Sequence, residues 1–222
     1  MIIKAIIPAG GSSSRYKGKN KLLEMLAGKP VIMHSIETIN SIENIAEIII
    51  SASTELIPIL KDLTKDYKNI TIVQGGQNRQ ESVYNAISRI DQCDFILIHD
   101  GARPLIKKET IVKAIDKALN KKAVIVAVKT IDTIKIVDTN LKIIETPNRD
   151  NLWNVQTPQI FEYKLISNAH LKLKGQNYSD DAGMLEVLGH DVYIVEGEYS
   201  NFKITTEEDL FSAESKIKKC NI

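Results

Sequence analysis

A stretch rich in glycine, serine and cations begins near the N-terminus, in the sequence IPAGGSSSRYKGKNK. Gly10 and Gly11 follow an apolar run, and Arg15 and Lys21 lie among several cations with no acidic residue between them. Glycines let a ligand approach the backbone, and consecutive amides can bind an anion. Serines such as Ser12 add donors, and the cations add charge for phosphate oxygens. The stretch predicts a loop that binds a triphosphate, with a solvated Gly-Ser turn as the alternative.

Two common phosphate-binding templates do not fit this loop. The pattern GxxxxGK[ST] is absent, and GGSSSR offers no third glycine for the dinucleotide pattern GxGxxG. The missing GxGxxG counts against a nicotinamide-dependent oxidoreductase, which the α/β pattern alone would allow.

A second polar stretch, IVQGGQNRQESV, follows an apolar run and leads into a helix predicted to begin near Arg79. A pyrimidine base needs donors and acceptors along its Watson–Crick edge. Gly76, Gln77 and Ser82 can supply them, so this loop is a candidate base-binding loop. An ordinary strand–turn–helix connection is the alternative.

The third stretch is DFILIHDGARP, in which Asp100 comes directly after an apolar run of strand length. A carboxylate at a strand end suits Mg²⁺, which prefers oxygen ligands and shares them with phosphates. Arg103 can hold a phosphate or orient Asp100 through a bidentate pair. A purely structural Asp–Arg pair is the alternative, and His99 is interpreted as packed or hydrogen-bonded rather than as a metal ligand.

These side chains need a scaffold, and the pattern of the chain predicts one. Short apolar, β-branched runs recur, and helix-like segments lie between them. The runs are IIKAIIP, AEIIISA, ITIVQGG, DFILIHDGA, AVIVAV and DVYIVEG. This alternation predicts an α/β fold with a mostly parallel sheet and helices on both faces. In such sheets the polar residues at the carboxyl ends of the strands form the ligand-binding edge.

One segment breaks the alternation. TIDTIKIVDTNLKIIETP reads as two strands around the turn-like DTN. It predicts a protruding β-arm at about residues 131–146. A hairpin alone is marginal in water, so we expect a partner subunit to cover it. No interdomain linker is recognisable, and residues 1–222 are predicted to form one domain.

Charge and cysteine usage limit the class of protein. Lys and Arg number 29 and Asp and Glu number 28, so general electrostatic binding of nucleic acid or a membrane is not expected. Cys93 and Cys220 are predicted to be free thiols in a reducing compartment, which favours the cytoplasm. No signal peptide or membrane span is predicted.

The opening PAGGSSSR with its following lysine resembles the signature of sugar-nucleotide pyrophosphorylases and related nucleotidyltransferases. The stretch HDGARP resembles the HDxARP signature of the 2-C-methyl-D-erythritol 4-phosphate cytidylyltransferase family. Further similar stretches are DTIK, NRDNLWNVQTPQIF, YSDDAGMLE and VEGEYSNFKITTEEDL, so the resemblance covers nearly the whole chain. Ala102 stands where ribitol-5-phosphate cytidylyltransferases tend to carry valine, and the LW of NRDNLW also favours the methylerythritol family.

The resemblance implies a Rossmann-like nucleotidyltransferase fold, a homodimer joined through the arm, Mg²⁺, and CTP as the co-substrate. It implies catalytic roles for Arg15, Lys21 and Lys203, the last as a phosphate-contacting lysine. The residues implied to bind CTP are Ala9, Gly10, Gly11, Ser12, Gly76, Gln77, Ser82, Asp100, Gly101 and Arg103, with Asp100 also holding the metal.

The acceptor-binding residues implied by the resemblance are Thr133, Arg149, Thr157 and Ser179. Thr133 and Arg149 resemble arm residues that hold the acceptor phosphate for the partner subunit's site. Thr157 and Ser179 resemble residues near the acceptor polyol, although the family usually carries threonine where Ser179 stands. The implied reaction is in-line attack of the acceptor phosphate on CTP. A ribitol-5-phosphate cytidylyltransferase and a non-catalytic nucleotide-binding protein stay open as alternatives.

Overall fold

The computed structural model describes residues 1–10 and 20–220, and the side chains of 219 and 220 are outside that description. Gly11, Ser12 and Arg15, three of the predicted triphosphate-binding residues, therefore lie outside the described residues. The strands are β1 (Ile3–Ala9), β2 (Met25–Leu26), β3 (Lys29–Pro30), β4 (Ile45–Ala52), β5 (Ile70–Gln74), β6 (Phe95–Ile98), β7 (Ala123–Lys129), β8 (Ile136–Val137), β9 (Ile143–Glu145), β10 (Trp153–Glu162) and β11 (Tyr193–Glu196).

Helices follow most of the strands, and they form where the sequence predicts them. They are α1 (Val31–Asn40), α2 (Leu56–Leu63), α3 (Arg79–Ile87), α4 (Lys108–Lys121), α5 (Tyr163–Lys172), α6 (Asp181–Val187) and α7 (Glu207–Cys220). The predicted start of α3 near Arg79 is confirmed, because the side chain of Asn78 caps the helix by accepting a hydrogen bond from the Glu81 amide. None of the described helices is long and apolar enough to cross a membrane.

Seven strands form the central sheet, in the order β11-β7-β10-β6-β1-β4-β5. All neighbouring pairs are parallel except those that involve β10, which is antiparallel to both β6 and β7. The predicted mostly parallel sheet is thus confirmed. Strand β10 has no counterpart among the predicted strands.

Helices cover both faces of the sheet, as predicted. Side chains alternate across a strand, so the neighbours Ile6 and Ile7 of β1 enter different hydrophobic clusters, and each is fully buried. Ile7 packs in the cluster that includes α1, α2 and α4, while Ile6 packs with α3, α5 and α6. Helix α7 packs through Ala213 on a smaller cluster around Leu26 of the β2–β3 hairpin.

The predicted β-arm is present as a two-stranded antiparallel sheet of β8 and β9, separate from the central sheet. Its side chains are largely exposed, including many apolar ones. The exposed apolar residues of the arm are Ile131, Ile134, Ile136, Val137, Leu141, Ile143 and Ile144. Because the arm connects β7 to β10, its legs leave and rejoin the sheet at neighbouring strands, where Trp153 pairs with Lys129.

The carboxyl ends of β1, β4, β5 and β6 lie at one edge of the sheet, since these strands are parallel. The antiparallel β10 begins at this same edge, so its first half, rather than its end, faces the loops that follow the other strands. Gly10 after β1, the loop after β5 and the aspartate after β6 therefore lie at this edge. This edge is the place to look for a ligand site.

Candidate active site

Asp100 is the centre of an ion-pair cluster at the carboxyl edge. Its side chain is only 10% exposed, and cations approach both of its oxygens. Arg79 Nε donates to Oδ1 at 3.2 Å, and Lys203 Nζ donates to Oδ2 at 2.8 Å. Arg103 Nε lies 3.8 Å from Oδ2. We call Asp100, Arg79, Lys203, Arg103 and the carboxylate of Asp181 described below the Asp100 cluster.

The cluster keeps Asp100 ionised. Burial by itself would raise the pKa of the Asp100 carboxyl, but the positive charges of Arg79, Lys203 and Arg103 outweigh burial and lower the pKa far below its usual range. The group is therefore a carboxylate at neutral pH, with oxygens that can accept from cations or bind a metal ion.

Arg79 is held from behind by a second buried carboxylate. Its Nη1 donates to Asp181 Oδ2 at 2.6 Å, and Asp181 is 1% exposed. Burial would lower the pKa of Arg79, but the two carboxylates raise it overall. The other Asp181 oxygen lies 3.3 Å from His170 Nε2, and the amide of Asp181 donates to Gln159 Oε1 at 3.2 Å. Arg79 thus bridges two fixed anions.

The backbone of Asp100 is braced by Thr157 and His99. Asp100 N donates to Thr157 Oγ1 at 3.0 Å, and that oxygen lies 3.1 Å from His99 Nδ1. His99 Nε2 lies 3.2 Å from the carbonyl oxygen of Arg103. Because a carbonyl only accepts, Nε2 carries the proton and Nδ1 accepts from the Thr157 hydroxyl. Burial lowers the pKa of His99 to about 4, which keeps the ring neutral.

The interpretation of His99 as a hydrogen-bonded residue agrees with these contacts, and its side chain is fully buried. Thr157 has the same internal character: it is 4% exposed, and its hydroxyl is used between Asp100 and His99. The contacts found for Thr157 are therefore those of a residue that positions Asp100. Its predicted contact with the acceptor polyol stays a prediction.

Arg103 does not form the bidentate pair with Asp100 that the sequence suggests as one possibility. Its Nη1 donates to the carbonyl oxygen of Asn201 at 2.8 Å and its Nη2 to that of Val155 at 3.5 Å. Asn201, 2% exposed, also donates to Gln156 Oε1 and to the carbonyl oxygen of Thr157. The guanidinium thus ties β10 to the loop that carries Lys203, and only Nε faces the carboxylate.

The loop after β5 is held by its own side chains. Gly76 N donates to Ser82 Oγ at 3.0 Å, and Gln77 N donates to Glu81 Oε2 at 2.8 Å. Ser82 is 1% exposed, and its hydroxyl also donates to the Asn78 carbonyl. A Cβ at Gly76 would collide with the Glu81 side chain, so this position requires glycine. Base recognition by Gly76, Gln77 and Ser82 stays a prediction, and these contacts give the loop a defined shape.

Gly10, directly after β1, lies against this loop. Ala9 is buried at the end of β1, opposite Ala52, and a Cβ on the next residue, Gly10, would lie 2.9 Å from Ser82 Oγ. Gly101 packs tightly in the core instead, since a Cβ there would lie 3.1 Å from side-chain carbons of Ile7 and Ile32. Gly10, which precedes the predicted triphosphate-binding loop, therefore packs directly against the candidate base-binding loop.

Lys21 follows the undescribed segment and lies in a turn. The turn is fixed on both sides of it: Asn20 Oδ1 accepts from the Leu22 amide at 3.0 Å, and the Leu22 carbonyl accepts from the Ile32 amide at 3.1 Å. Leu22 is 6% exposed, which anchors the backbone beside the first turn of α1. Lys21 thus has a well-defined backbone position.

The predicted acceptor residues are more scattered. Arg149, in a short 3-10 turn, donates through Nη1 to the Ile131 carbonyl at 2.9 Å, and this bond joins the two legs of the arm. Thr133 is exposed on the arm. Ser179 is exposed just before Asp180, which caps α6 by accepting from the Gly183 amide. Among the described contacts, none joins Thr133, Arg149 or Ser179 to the Asp100 cluster.

Arg79, Asp181 and Gln159 were not among the predicted site residues. One signal for Arg79 exists in the sequence: it occupies the first turn of a helix, where the helix dipole disfavours a cation, so a compensating anion is required. For Asp181 the sequence SDD offers an N-cap aspartate followed by a second acid, which reads as ordinary helix capping. The fold supplies what the sequence does not, since it places Asp181 102 positions away from Arg79 in the chain but 2.6 Å away in space.

The residues present fit a divalent cation shared with phosphates. Among residues 1–10 and 20–220, no group of three or more His, Cys, Asp or Glu side chains could hold a metal ion by itself. Asp100 offers an ionised carboxylate whose oxygens retain accepting capacity beside Arg79 and Lys203. Mg²⁺ is often bound by one or two carboxylates together with substrate phosphates, and a single carboxylate suits that arrangement.

A mostly parallel sheet with Gly10 after β1, a polar loop after β5 and an ionised aspartate after β6 at one edge fits the class of nucleotidyltransferases. The model of the family described as "IspD: 2-C-methyl-D-erythritol 4-phosphate cytidylyltransferase" matches residues 3–219. The chain belongs to the 2-C-methyl-D-erythritol 4-phosphate cytidylyltransferase family.

Individual relatives agree over the full length. The chain is 45% identical to the 2-C-methyl-D-erythritol 4-phosphate cytidylyltransferase of Caldanaerobacter subterraneus subsp. tengcongensis, over 99% of this chain and 100% of that protein. It is 40% identical to the protein of the same name from Dictyoglomus thermophilum, over 99% of this chain and 98% of the other.

Solved structures give the same result. The 4-diphosphocytidyl-2C-methyl-D-erythritol synthase of Anaerococcus prevotii has a TM-score of 0.89 at 36% identity, with 98% of each chain covered. The 2-C-methyl-D-erythritol 4-phosphate cytidylyltransferase of Francisella tularensis has a TM-score of 0.84 at 28% identity, covering 97% of this chain and 100% of that one. The expected family and fold are confirmed.

Proposed function

We propose that this enzyme transfers the cytidylyl group of CTP to 2-C-methyl-D-erythritol 4-phosphate, giving 4-diphosphocytidyl-2-C-methyl-D-erythritol and pyrophosphate. Membership of the family over residues 3–219 is the observation that carries this proposal. The reaction belongs to non-mevalonate isoprenoid precursor synthesis. Free cysteine usage, with Cys93 buried and unpaired, supports a cytoplasmic location.

The chemistry is in-line displacement at phosphorus. A phosphate oxygen of the acceptor attacks the α-phosphorus of CTP, the bond to the β-phosphate oxygen breaks, and pyrophosphate leaves. An acceptor phosphate monoester is largely ionised near neutral pH, so the reaction requires no general base. This agrees with the state of His99, which is buried, neutral and hydrogen-bonded at both ring nitrogens. Positioning and charge stabilisation supply most of the acceleration.

In this proposal the cationic side chains supply most of the transition-state stabilisation. Arg15 and Lys21 stabilise negative charge that builds on the α-phosphate and on the departing pyrophosphate. Lys203 contacts Asp100 at 2.8 Å, which supports its proposed contact with a phosphate bound beside Asp100. In the proposal, Gly76 and Gln77 bind the base, and Ala9, Gly10, Gly11 and Ser12 the triphosphate.

Asp100 would hold Mg²⁺ together with phosphate oxygens of CTP. When bound, the ion neutralises charge on the triphosphate and fixes its geometry. Asp100 is suited to this because it is ionised, and because Thr157 fixes its backbone amide and Arg79 its side chain.

The arm is proposed to complete the acceptor site of a second copy. Seven of its apolar residues are exposed, and Leu141 is 81% exposed. A soluble protein rarely leaves such a patch uncovered, which supports a homodimer formed through the arm. Thr133 and Arg149 would then bind the acceptor phosphate in the partner's site, where the planar guanidinium can form two parallel bonds to phosphate oxygens.

The direct test is pyrophosphate release from CTP and Mg²⁺, with 2-C-methyl-D-erythritol 4-phosphate compared against D-ribitol 5-phosphate. We expect a strong preference for the first acceptor. A preference for ribitol 5-phosphate would overturn the proposed acceptor and leave cytidylyl transfer intact. If folded protein that binds CTP releases no pyrophosphate with either acceptor, the proposed function is contradicted.

Lys21 gives a test of the proposed mechanism. Lys21→Ala should lower turnover by about 10²–10³-fold, because the lysine acts on transition-state charge. Circular dichroism and thermal unfolding should stay near those of the unaltered protein. Near-normal turnover of the folded variant would refute the role of Lys21.

A further inference from the structure

The two closest cations on Asp100 are held in different ways. Lys203 has a side chain that is 36% exposed, and its described ion pair is with Asp100. Arg79 contacts Asp100 through Nε and Asp181 through Nη1, so each side of its guanidinium has its own carboxylate. A side chain bound at two points keeps its orientation when one partner changes, whereas a side chain bound at one point does not.

The second anchor of Arg79 is itself immobile. Asp181 is 1% exposed and begins α6, and its amide donates to the fully buried Gln159 of β10. Its second oxygen faces the buried ring of His170 at 3.3 Å. Gln159 also accepts from the Ala182 amide, which fixes the start of α6 to the sheet. These contacts fix the position of the Asp181 carboxylate, and that carboxylate in turn fixes the position of the Arg79 guanidinium.

We propose that Arg79, fixed by Asp181, is a positioning residue that holds the Asp100 carboxylate in the orientation that binds the divalent cation. The inference rests on the proposed role of Asp100 in metal binding. Both residues lie within quoted motifs, but neither is among the predicted site residues. Lys203, by contrast, is free to leave Asp100 and turn to a phosphate, because no second carboxylate holds it in the described structure.

Charge and geometry predict opposite effects for Arg79. Its positive charge repels a divalent cation at Asp100, so if only charge mattered, removing Arg79 would tighten Mg²⁺ binding. If Arg79 orients the carboxylate, removing it weakens Mg²⁺ binding, as is usual when the partner of a metal ligand is lost. Lysine separates the two cases further, because it keeps the charge but cannot reach both carboxylates with a planar fork.

The experiment measures CTP affinity by isothermal titration calorimetry, with and without MgCl₂, for the full chain. The ratio of the two affinities reports the contribution of the metal ion without requiring turnover. We expect Arg79→Lys and Arg79→Gln to reduce this ratio by about 10-fold or more, while CTP affinity without Mg²⁺ stays within about 3-fold. Asp181→Asn, which leaves Arg79 in place but weakens its anchor, should reduce the ratio in the same direction by a smaller factor.

A double variant and a control variant distinguish a loss of Mg²⁺ binding from a loss of folding. Arg79→Gln leaves Asp181 buried without its cation, so the double variant Arg79→Gln/Asp181→Asn removes both charges together and keeps the test valid if the single variant unfolds. Lys4→Gln is the matched control, because it breaks another partly buried ion pair of the sheet, with Glu47 at 2.8 Å, near the opposite ends of the strands. It should leave the ratio unchanged.

Four results would overturn the proposal. A tighter Mg²⁺ contribution in Arg79→Gln would show that only charge matters, and an unaltered ratio in Arg79→Lys would show that the fork geometry is not needed. Equal ratios in all folded variants, with lower unfolding temperatures alone, would make the role structural. If the unaltered protein turns over CTP and the acceptor but gains no CTP affinity from Mg²⁺, this inference fails while cytidylyl transfer stands. No turnover at all would refute the proposed function instead.

Discussion

The Asp100 cluster and the β-arm differ in whether their side chains find partners within one chain. In the cluster, buried charged groups find their partners within the chain: Asp100 contacts Arg79 and Lys203, and Arg79 contacts Asp181. In the arm, apolar side chains such as Leu141 and Ile144 are 81% and 65% exposed. Buried charges without partners and exposed apolar surface are both unfavourable. Within one copy, the charges of the cluster are paired, but the apolar surface of the arm stays exposed.

The difference indicates how the work of the site is divided. In the described residues, the half that is proposed to bind the nucleotide and metal ion lies on loops at one sheet edge of a single chain. The half that is proposed to bind the acceptor lies partly on the arm, with Thr133 and Arg149. Changes in the cluster should therefore act on each copy separately, and changes in the arm should act through assembly.

The largest expected effect comes from breaking the cluster at its centre. Asp100→Asn removes the anionic ligand while keeping the shape, so turnover should fall by about 10²–10³-fold. Steady-state kinetics at saturating CTP and Mg²⁺ measure this. The matched control is Asp62→Asn, at a surface carboxylate that is 77% exposed and paired with Lys65, and it should leave turnover unchanged. Activity within about threefold of normal in Asp100→Asn would remove Asp100 from the mechanism.

A mixing experiment tests whether the two halves come from different copies. Lys21→Ala and Arg149→Ala are each expected to be nearly inactive. If the arm serves the partner's site, randomly mixed dimers contain one intact site in about a quarter of all sites, so mixing should restore about a quarter of normal activity. Mixing Lys21→Ala with Asp100→Asn, both in the same half, should restore nothing. An absence of recovery in the first mixture would show that Arg149 acts within its own chain.

His99, which lies next to the Asp100 cluster, should make stability depend on pH. The pKa of His99 is lowered by burial from its ordinary 6.5 to about 4, so between these values the unfolded chain binds a proton that the folded chain does not. Stability is therefore highest above pH 6.5 and falls as the pH falls toward 4, by about 2 kcal/mol between pH 7.5 and pH 5. Urea unfolding at the two pH values measures this loss.

His99→Gln isolates the contribution of that ring. Glutamine can donate to the Arg103 carbonyl and accept from Thr157 without titrating, so most of the loss between pH 7.5 and pH 5 should disappear. Burial also lowers the pKa of His34, so His34 contributes a loss of the same sign in both proteins. Asp100 and Asp181, whose pKa values are lowered, stay ionised at pH 5. An unchanged loss in His99→Gln would exclude His99 as its source.

The smallest effect is expected at the tip of the arm. Leu141 has a φ of 63°, in the left-handed region that leucine adopts at a cost and asparagine adopts more readily. Leu141→Asn should therefore stabilise the isolated chain by about 0.5–1 kcal/mol, while removing apolar surface from the dimer contact. Unfolding at low protein concentration and sedimentation at higher concentration separate the two effects. A variant that dimerises as tightly as the unaltered protein would place the tip outside the interface.

The sequence predicts the parallel strands and the helices because their apolar periodicity is strong. It does not predict β10, since this strand carries Gln156, Thr157, Pro158 and Gln159 in its middle. These residues break the apolar pattern, and proline argues against a central strand. The polar residues are there because they hydrogen-bond the site: Thr157 accepts from the Asp100 amide, and Gln159 from the Asp181 amide. The residues that hydrogen-bond the candidate site therefore hide the strand pattern of β10 in the sequence.

The candidate site divides in the same way. Asp100 and Gly10 belong to short motifs, so sequence alone predicts their place after strands of the sheet. Arg79 and Asp181 depend on contacts between distant segments, which no local pattern records. Ser82 and Thr157 are predicted to contact substrates, and their hydroxyls also accept hydrogen bonds within the protein. Their contacts with substrates stay predictions, and the hydrogen bonds add a positioning role that the motifs do not indicate.

The attachment of the arm has a consequence for divergence. Because residues 131–146 are inserted between β7 and β10, which pair with each other in the central sheet, the insertion can change length or sequence without shifting the register of any core strand. Under the proposed acceptor role of the arm, exchanging this segment would change the acceptor and keep the nucleotide chemistry. The same property makes the arm a natural crossover point for chimaeras between cytidylyltransferases of different acceptor preference.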